Sequence, residues 1–507
     1  MVRGKVYLIG AGPGDPGLIT VKGLERLRGA DVVVYDYLAS PRLLAQARPG
    51  ARLIYVGKQA GRHSLSQEEI NQLLIAEASE GKVVARLKGG DPFIFGRGGE
   101  EAEALAAAGV PFEVIPGVSS ATAVPAYAGI PLTHRRYTSS VAFITGHEDP
   151  AKDDSSIDWP KLATGAGTLV FLMGMAQLPK IVDRLLEHGR SRETPAALIR
   201  WGTLAEQETW VGNLGGLREE LNRREFKPPA ILVVGEVVNL REKLNWFESK
   251  PLFGKRILVT RSREQASAFA ELLEAYGAEV LEFPTIEILP PESWEGLDAA
   301  IGRLTNYHWI IFTSANGVEF FMRRLSFHGR DVRELKGIRI CAIGPATAEA
   351  LGKWGLRADL LPSEYRAEAI LEGLAAIAIK GQRFLLPRAQ GARDVLPKEI
   401  SRRGGEIDVV TAYRTVKAGV DPQRVKELLG EGKIHAITFT SSSTVTNFLD
   451  LLNREHLQDL LQGVTIASIG PITAEAARQQ GIKTDIQPTE YTIPALAEAI
   501  VDYFRKD

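Results

Sequence analysis

Arg86-Leu87-Lys88-Gly89-Gly90-Asp91-Pro92-Phe93-Ile94-Phe95-Gly96-Arg97-Gly98-Gly99 is the stretch that decides the fold. It follows Lys82-Val83-Val84-Ala85, which reads as a short buried strand, and precedes Glu100 to Ala108, which reads as a helix. An apolar strand is thus followed by five glycines, one proline, two arginines, a lysine and an aspartate. Glycines there let the backbone approach a ligand and free its N–H and C=O groups to grip polar atoms. Asp91, ahead of Pro92, is biased to an extended conformation that holds its carboxylate in place. The plainer reading is a long turn with solvated charges. A binding loop is preferred, because open α/β sheets place ligands at glycine-rich strand ends.

The same pattern recurs on either side. Val6-Tyr7-Leu8-Ile9 runs into Gly10-Ala11-Gly12-Pro13-Gly14-Asp15-Pro16-Gly17, and Phe112-Glu113-Val114-Ile115 runs into Pro116-Gly117-Val118-Ser119-Ser120. Three strand-then-Gly/Pro loops predict a parallel sheet with one shared rim. Asp36, just past Val32 to Tyr35, reads either as a carboxylate at a cleft rim or as a turn former. Lys58 again lies just beyond a strand, Leu53 to Val56. A dinucleotide fingerprint fails, because from Gly10 the third glycine position is Asp15. A P-loop also fails, because from Gly12 the lysine position is Leu18. Nicotinamide dehydrogenase chemistry is therefore disfavoured.

At 507 residues the chain is too long for one core. Net charge is −1, so no global basic field argues for nucleic acid. Cys341 is the single cysteine, which excludes an intramolecular disulfide and a cysteine metal cluster. The eight histidines are scattered without HxxxH or HExxH spacing, so no metal site is expected. No apolar run approaches the roughly 20 residues that span a bilayer. With a strand opening the chain and no signal peptide, a cytoplasmic location is expected.

The alternation of strands and helices breaks at Leu244 to Lys255, which carries Pro251 and Gly254. This places one domain at 1–248 and another at 249–507. Trp246, Phe247 and Phe253 in the linker should pack on something. Beyond it lies an internal repeat at an offset of 126 to 127 residues. Phe312-Thr313-Ser314 recurs as Phe439-Thr440-Ser441, and Ile343 to Ala350 recurs as Ile469 to Ala476. Arg256-Ile257-Leu258-Val259 has its counterpart in Arg383-Phe384-Leu385-Leu386. Two duplicated α/β lobes are predicted. Each Gly-Pro-x-Thr-Ala segment should open a helix whose N–H groups and threonine hydroxyl face outward, suited to carboxylates. A plain helix cap is the alternative.

Over residues 3–248 these motifs resemble uroporphyrinogen-III C-methyltransferase, a tetrapyrrole methylase. They are Gly10 to Gly14, Tyr35-Asp36, Gly57-Lys58, Arg86 to Gly99, Pro116-Gly117, Ile130-Pro131-Leu132-Thr133-His134-Arg135, Phe171 to Gly174 and Gly235 to Val238. The resemblance implies two α/β subdomains with the active site between them, and a homodimer formed through this half. It implies S-adenosylmethionine contacts at Pro13, Gly89, Gly90, Asp91, Ile94, Ser119, Ser120, Met173, Gly202 and Ala230. Asp36 is implied as proton acceptor and Lys58 as proton donor. Arg86, Arg97, His134 and Arg135 are candidates for the carboxylates of the substrate. Two departures stand out: Tyr37 replaces a common arginine, and Arg200-Trp201 replaces Glu-Asn.

Residues 254–507 resemble uroporphyrinogen-III synthase, on Phe312 to Val318, Thr411 to Thr415, Phe439 to Phe448 and Gly470 to Ala474. That family has two α/β lobes joined by a two-stranded ladder, here Pro284 to Ile288 with Thr411 to Thr415, and uses no cofactor. By resemblance Tyr413 helps a hydroxyl leave, while Thr347, Ser441 and Thr473 bind substrate carboxylates. Together the two resemblances imply a bifunctional enzyme. It would cyclise hydroxymethylbilane to uroporphyrinogen III and then dimethylate it at C2 and C7 to precorrin-2, on the route to sirohaem or cobalamin. The alternatives are a methyltransferase for a later corrin intermediate and a non-catalytic, ligand-sensing C-terminal module.

Overall fold

Val6, Leu8 and Ile9 are fully buried because their strand, β1 (Lys5–Gly10), lies inside a sheet covered on both faces. A computed structural model describes residues 4–57, 65–146, 156–223, 226–261, 263–362, 367–375, 379–392, 394–419, 421–453 and 457–505. β2 (Val32–Tyr35), β3 (Arg52–Tyr55), β4 (Val83–Lys88) and β5 (Phe112–Ile115) complete the sheet in the order β3-β2-β4-β1-β5. All its pairings are parallel, as the repeated strand–glycine pattern predicts. Their carboxyl ends therefore share one rim.

The strand expected to end at Ala85 instead runs on through Arg86-Leu87-Lys88. Arg86 and Lys88 alternate with Ala85 and Leu87, so both cations point to one face of the sheet. Strands seldom bury two cations, and this one does so because Glu101 meets them from the helix Gly98–Ala107.

A second sheet follows, from β6 (Val141–Thr145), β7 (Thr168–Leu172), β8 (Pro195–Arg200), β9 (Glu208–Asn213) and β10 (Ala230–Val234), in the order β6-β7-β10-β8-β9. Only β6 and β7 run parallel. The helix Ser120–Tyr127 starts on the rim of the first sheet and buries Ala121 and Val124 against Val170, Leu172 and Ile199 of the second. The linker is no free tether. Phe247 packs against Tyr127 and Phe253, and the Trp246 indole N–H donates to the Ala126 carbonyl at 3.0 Å.

The chain divides into two compact units. One holds the residues up to Arg256, with Leu272–Val280 and the end from Val501; the other holds Ile257–Glu271 and Leu281–Ile500. Two more sheets arise from β11 (Arg256–Val259), β12 (Glu279–Glu282), β13 (Ile286–Leu289), β14 (Trp309–Phe312), β15 (Arg339–Ala342), β16 (Arg383–Ala389), β17 (Glu406–Lys417), β18 (Ala436–Phe439) and β19 (Thr465–Ser468). Their orders are β12-β11-β18-β19 and β13-β17-β16-β14-β15. Neither lobe is therefore one copy of the repeat. The opening strands of the first copy, β11 and β12, join the closing strands of the second, β18 and β19; β16 and β17 join β14 and β15 in exchange. Equivalent strands offer the same hydrogen-bonding edge, so the repeat by itself leaves open which copy supplies the partner. The symmetry extends to side chains: Asp359 accepts the Ile340 N–H at 2.7 Å, and Asp485 accepts the Ile466 N–H at 3.0 Å. The expected ladder is present as β13 against Arg414 to Lys417 of β17.

Candidate functional site

Three loops of the first sheet meet backbone to backbone at its rim. A Cβ on Gly10 would lie 2.4 Å from Gly117 Cα, and one on Gly117 would lie 2.4 Å from the Gly90 carbonyl oxygen. Gly90 and Gly12 exchange backbone hydrogen bonds of 2.7 and 3.2 Å. Asp91 locks the assembly, its carboxylate accepting N–H groups of Phe93 (2.8 Å), Ile94 (3.2 Å) and Gly117 (2.9 Å). Ser119 caps the helix that follows, accepting from Ala121 N at 3.2 Å. Pro13, Gly89, Gly90, Asp91, Ser119 and Ser120 are thus brought to one place. Gly117→Ala has only backbone to push against and is expected to destabilise this unit by about 1–3 kcal/mol or more. Thermal unfolding at the wild-type midpoint would rule that out.

Asp36 follows β2 directly on the same rim. One carboxylate oxygen accepts the Leu38 N–H at 3.1 Å and the other faces an Arg86 guanidinium nitrogen at 3.5 Å. Arg86 is 4% exposed. Its Nε donates to Glu101 Oε1 at 3.1 Å, and Lys88 Nζ donates to the same oxygen at 2.8 Å. Glu101 is fully buried and its second oxygen has no partner among the described residues. Burial, and then the Arg86 charge, push the Lys88 ammonium below its ordinary pKa, while Glu101 opposes them. Arg86 is therefore inside an ion cluster behind Asp36, not on the open surface where a carboxylate-binding residue was expected. Lys58 lies outside the described residues.

The second sheet brings its own edge to this place. Met173 follows β7, Gly202 follows β8, and Ala230 begins β10, which runs antiparallel to both. Gly202 touches the helix after Ser119, where a Cβ would lie 2.4 Å from Val124. Thr203 Oγ1 accepts the Asp15 N–H at 3.1 Å, and the Tyr127 hydroxyl donates to Asp15 at 2.7 Å. Tyr37 and Trp201, the two departures noted above, pair with ring centroids 6.3 Å apart.

Two features mark the place as a site. Phe95, Arg97, Met173, Trp201 and Thr203 all hold positive φ, which non-glycine residues adopt at a cost. Tyr37, Leu38, Phe93, Ile94, Phe95 and Met173 are apolar side chains left exposed. Of the remaining expected residues, Arg97 is exposed and paired with Glu100 at 2.6 Å, His134 is half-buried in a turn, and Arg135 is exposed.

In the other unit Tyr413 is buried within β17, level with the end of β16. Its hydroxyl lies 2.9 Å from Ser314 Oγ, and its ring stacks on Phe320. Burial pushes the phenol above its ordinary pKa. Ser441 is a helix cap, accepting from Thr444 N at 3.3 Å. The helices open at Pro345 and Pro471 as expected, but their threonine hydroxyls do not face outward. Thr347 and Thr473 are 3% and 4% exposed. Each is the third helical residue and lies on the buried side, while Ile472 takes the outward position.

The sequence reading gives Glu101, Asp15, Tyr127 and Ser314 no role in a site. Glu101 sits in an Ala/Glu helix that looks like a solvated face, and only its packing against β4 reveals it. Among the described residues no group of His, Cys, Asp and Glu could hold a metal ion, and no helix is long and apolar enough to cross a membrane.

The family model described as tetrapyrrole (corrin/porphyrin) methylases matches residues 5–218, and that described as uroporphyrinogen-III synthase HemD matches residues 267–498. Porphyrin biosynthesis protein HemD of Ruminiclostridium josui is 40% identical over 484 residues, covering 95% of each chain. An S-adenosyl-L-methionine-dependent uroporphyrinogen III methyltransferase of Methanosarcina barkeri is 52% identical over 241 residues, 48% of this chain and 94% of its own. The crystal structure of native uroporphyrin III C-methyl transferase from Thermus thermophilus is 40% identical, covers 47% of this chain and all of its own, and superposes with a TM-score of 0.41.

Proposed function

Because this chain belongs to the family that joins a tetrapyrrole methylase to a uroporphyrinogen-III synthase, we propose that it carries hydroxymethylbilane through to precorrin-2. It is a bifunctional enzyme of tetrapyrrole biosynthesis. The C-terminal unit closes the linear tetrapyrrole with inversion of its last ring and loss of water. The N-terminal unit then methylates uroporphyrinogen III at C2 and C7. A homodimer through the methylase half, in the cytoplasm, belongs to the same reading.

The observation that carries the methylase assignment is Asp36, held at a glycine-lined rim beside exposed apolar side chains. The fit to S-adenosylmethionine rests on the same surroundings. Asp91 is saturated by backbone donors, the walls are apolar, and no cation of the rim loops Gly10–Gly17 or Pro116–Ser120 opposes a sulfonium. Gly89, Gly90, Ser119, Ser120, Met173, Gly202 and Ala230 would hold it, with Pro13 and Ile94. When bound, it supplies an electrophilic methyl group. Asp36 accepts the proton that the macrocycle, not the now quaternary methylated carbon, loses to restore neutrality, and Lys58 is the matching donor. Arg86 holds Asp36 in place, while Arg97, His134 and Arg135 meet the acidic substrate.

For the synthase, Tyr413 protonates the departing hydroxyl and Ser314 orients it. A phenol raised by burial keeps its proton at neutral pH. Thr347, Ser441 and Thr473 frame the helix starts that face the carboxylates. Tyr413→Phe should lower kcat for uroporphyrinogen III formation about 10²-fold with little change in KM. An unchanged kcat would remove Tyr413 from the chemistry.

One coupled assay tests the whole reading. Hydroxymethylbilane alone should give uroporphyrinogen III, and with S-adenosylmethionine a dimethylated product. Recovery of only the non-inverted isomer would overturn the synthase half, and absence of methyl incorporation would overturn the methylase half.

A further inference from the structure

Arg261 leaves the carboxyl end of β11 from a clamped position. The buried Thr260 hydroxyl donates to the Thr438 carbonyl at 2.7 Å, and the buried Thr285 hydroxyl donates to the Thr260 carbonyl at 3.2 Å. β11 runs parallel to β18, with Val259 level with Thr438, so Arg261 emerges beside Thr440-Ser441. β18 runs parallel to β19, so the helix starts at Ser442 and Pro471 lie on the same edge.

Among the described residues nothing balances this charge. Its Nε is buried without a hydrogen-bond partner, and it forms no ion pair among the described residues. Burial pushes its guanidinium pKa down with no carboxylate to oppose it. The internal repeat supplies a control. At an offset of 127, Arg261 corresponds to Arg388 at the carboxyl edge of β16. Arg388 donates to Asp394 at 2.5 Å, and that hydrogen bond, followed by the arginine's charge, holds the Asp394 carboxyl below its ordinary pKa. The residue equivalent to Asp394 in the first copy is Ser267, which carries no charge. The duplicated arginine is thus neutralised in one lobe and, among the described residues, has no counter-ion in the other. A part-buried guanidinium without a counter-ion is costly, and a merely structural arginine would have a partner as its twin does.

We propose that Arg261 is a substrate-binding residue of the synthase, its guanidinium paired with a side-chain carboxylate of the linear tetrapyrrole. This rests on the synthase reading above. A planar fork of N–H donors fits a carboxylate in two-point fashion, which an ammonium cannot reproduce.

The test compares the full chain with Arg261→Met and Arg261→Lys, supplying hydroxymethylbilane and measuring KM, kcat and thermal unfolding. Methylation of added uroporphyrinogen III serves as an internal check on the other unit. Arg261→Met should raise KM about tenfold or more, Arg261→Lys should fall between, and the unfolding midpoint should stay or rise as an unpaired buried charge is removed. An unchanged KM overturns the assignment. So does a lowered midpoint in Arg261→Met, since the arginine would then be holding the lobe together. A wild-type chain that forms no uroporphyrinogen III overturns the synthase reading itself, and this proposal with it.

Discussion

Asp36→Asn is expected to lower methyl transfer about 10²- to 10⁴-fold while leaving the synthase rate untouched. Asparagine is nearly isosteric, and its side-chain carbonyl can still accept the Leu38 N–H that now bonds the carboxylate at 3.1 Å. The rim should keep its shape, and calorimetry should find S-adenosylmethionine bound as in the wild type. What is lost is a group able to take a proton. The partner at 3.5 Å, Arg86, would then face a neutral amide. Incorporation of labelled methyl into uroporphyrinogen III measures the effect. A variant within a few fold of wild type would show that Asp36 only turns the chain.

Glu101→Leu has the largest expected effect on stability. The carboxylate is fully buried and is the shared acceptor of Arg86 and Lys88. Its removal leaves two buried cations whose one remaining carboxylate contact among the described residues is that of Arg86 to Asp36 at 3.5 Å, beside the Arg86 bond to the Leu87 carbonyl at 3.2 Å. Breaking such a cluster by deleting one partner costs about 3–5 kcal/mol. Lys88 limits the loss, because burial has already pushed its pKa down and it can shed its proton. The triple variant Glu101→Leu, Lys88→Met, Arg86→Met should recover most of the stability, since apolar replacement of a whole buried cluster is often neutral. It should not recover methylation, because Asp36 then has no guanidinium to hold it. Denaturant unfolding of the N-terminal unit, followed alongside methyl transfer, separates the two effects. Equal stability of Glu101→Leu and wild type would show that the cluster is solvated.

Much of the candidate site was legible in the chain. Glycine runs after apolar strands locate the rim, because a Cβ on Gly10 or Gly117 would come within 2.4 Å of neighbouring backbone, which only glycine avoids. The linker aromatics announced that they would pack, and they do. The Arg86–Lys88 segment reads as loop but is strand. Its charges look solvated until Glu101 arrives from a helix 13 to 15 residues on. Thr347 and Thr473 were expected at the surface, yet which side of a helix start faces a neighbour depends on what packs there. The Tyr37–Trp201 pair joins loops of two different sheets, which no local pattern connects.

The sequence by itself determined the strand–glycine–helix grammar of both halves, the duplication in the second, and the residue types at each strand end. These follow from local periodicity, backbone freedom and self-similarity. Only the tertiary structure decided that β11 pairs with β18 and not with the equivalent strand of its own copy, β14, that Glu101 neutralises β4 from behind, and that Arg388 has a counter-ion where Arg261 has none among the described residues. Those outcomes depend on which equivalent edges and charges meet across long stretches of chain, and the energy that selects among them exists only once they are packed.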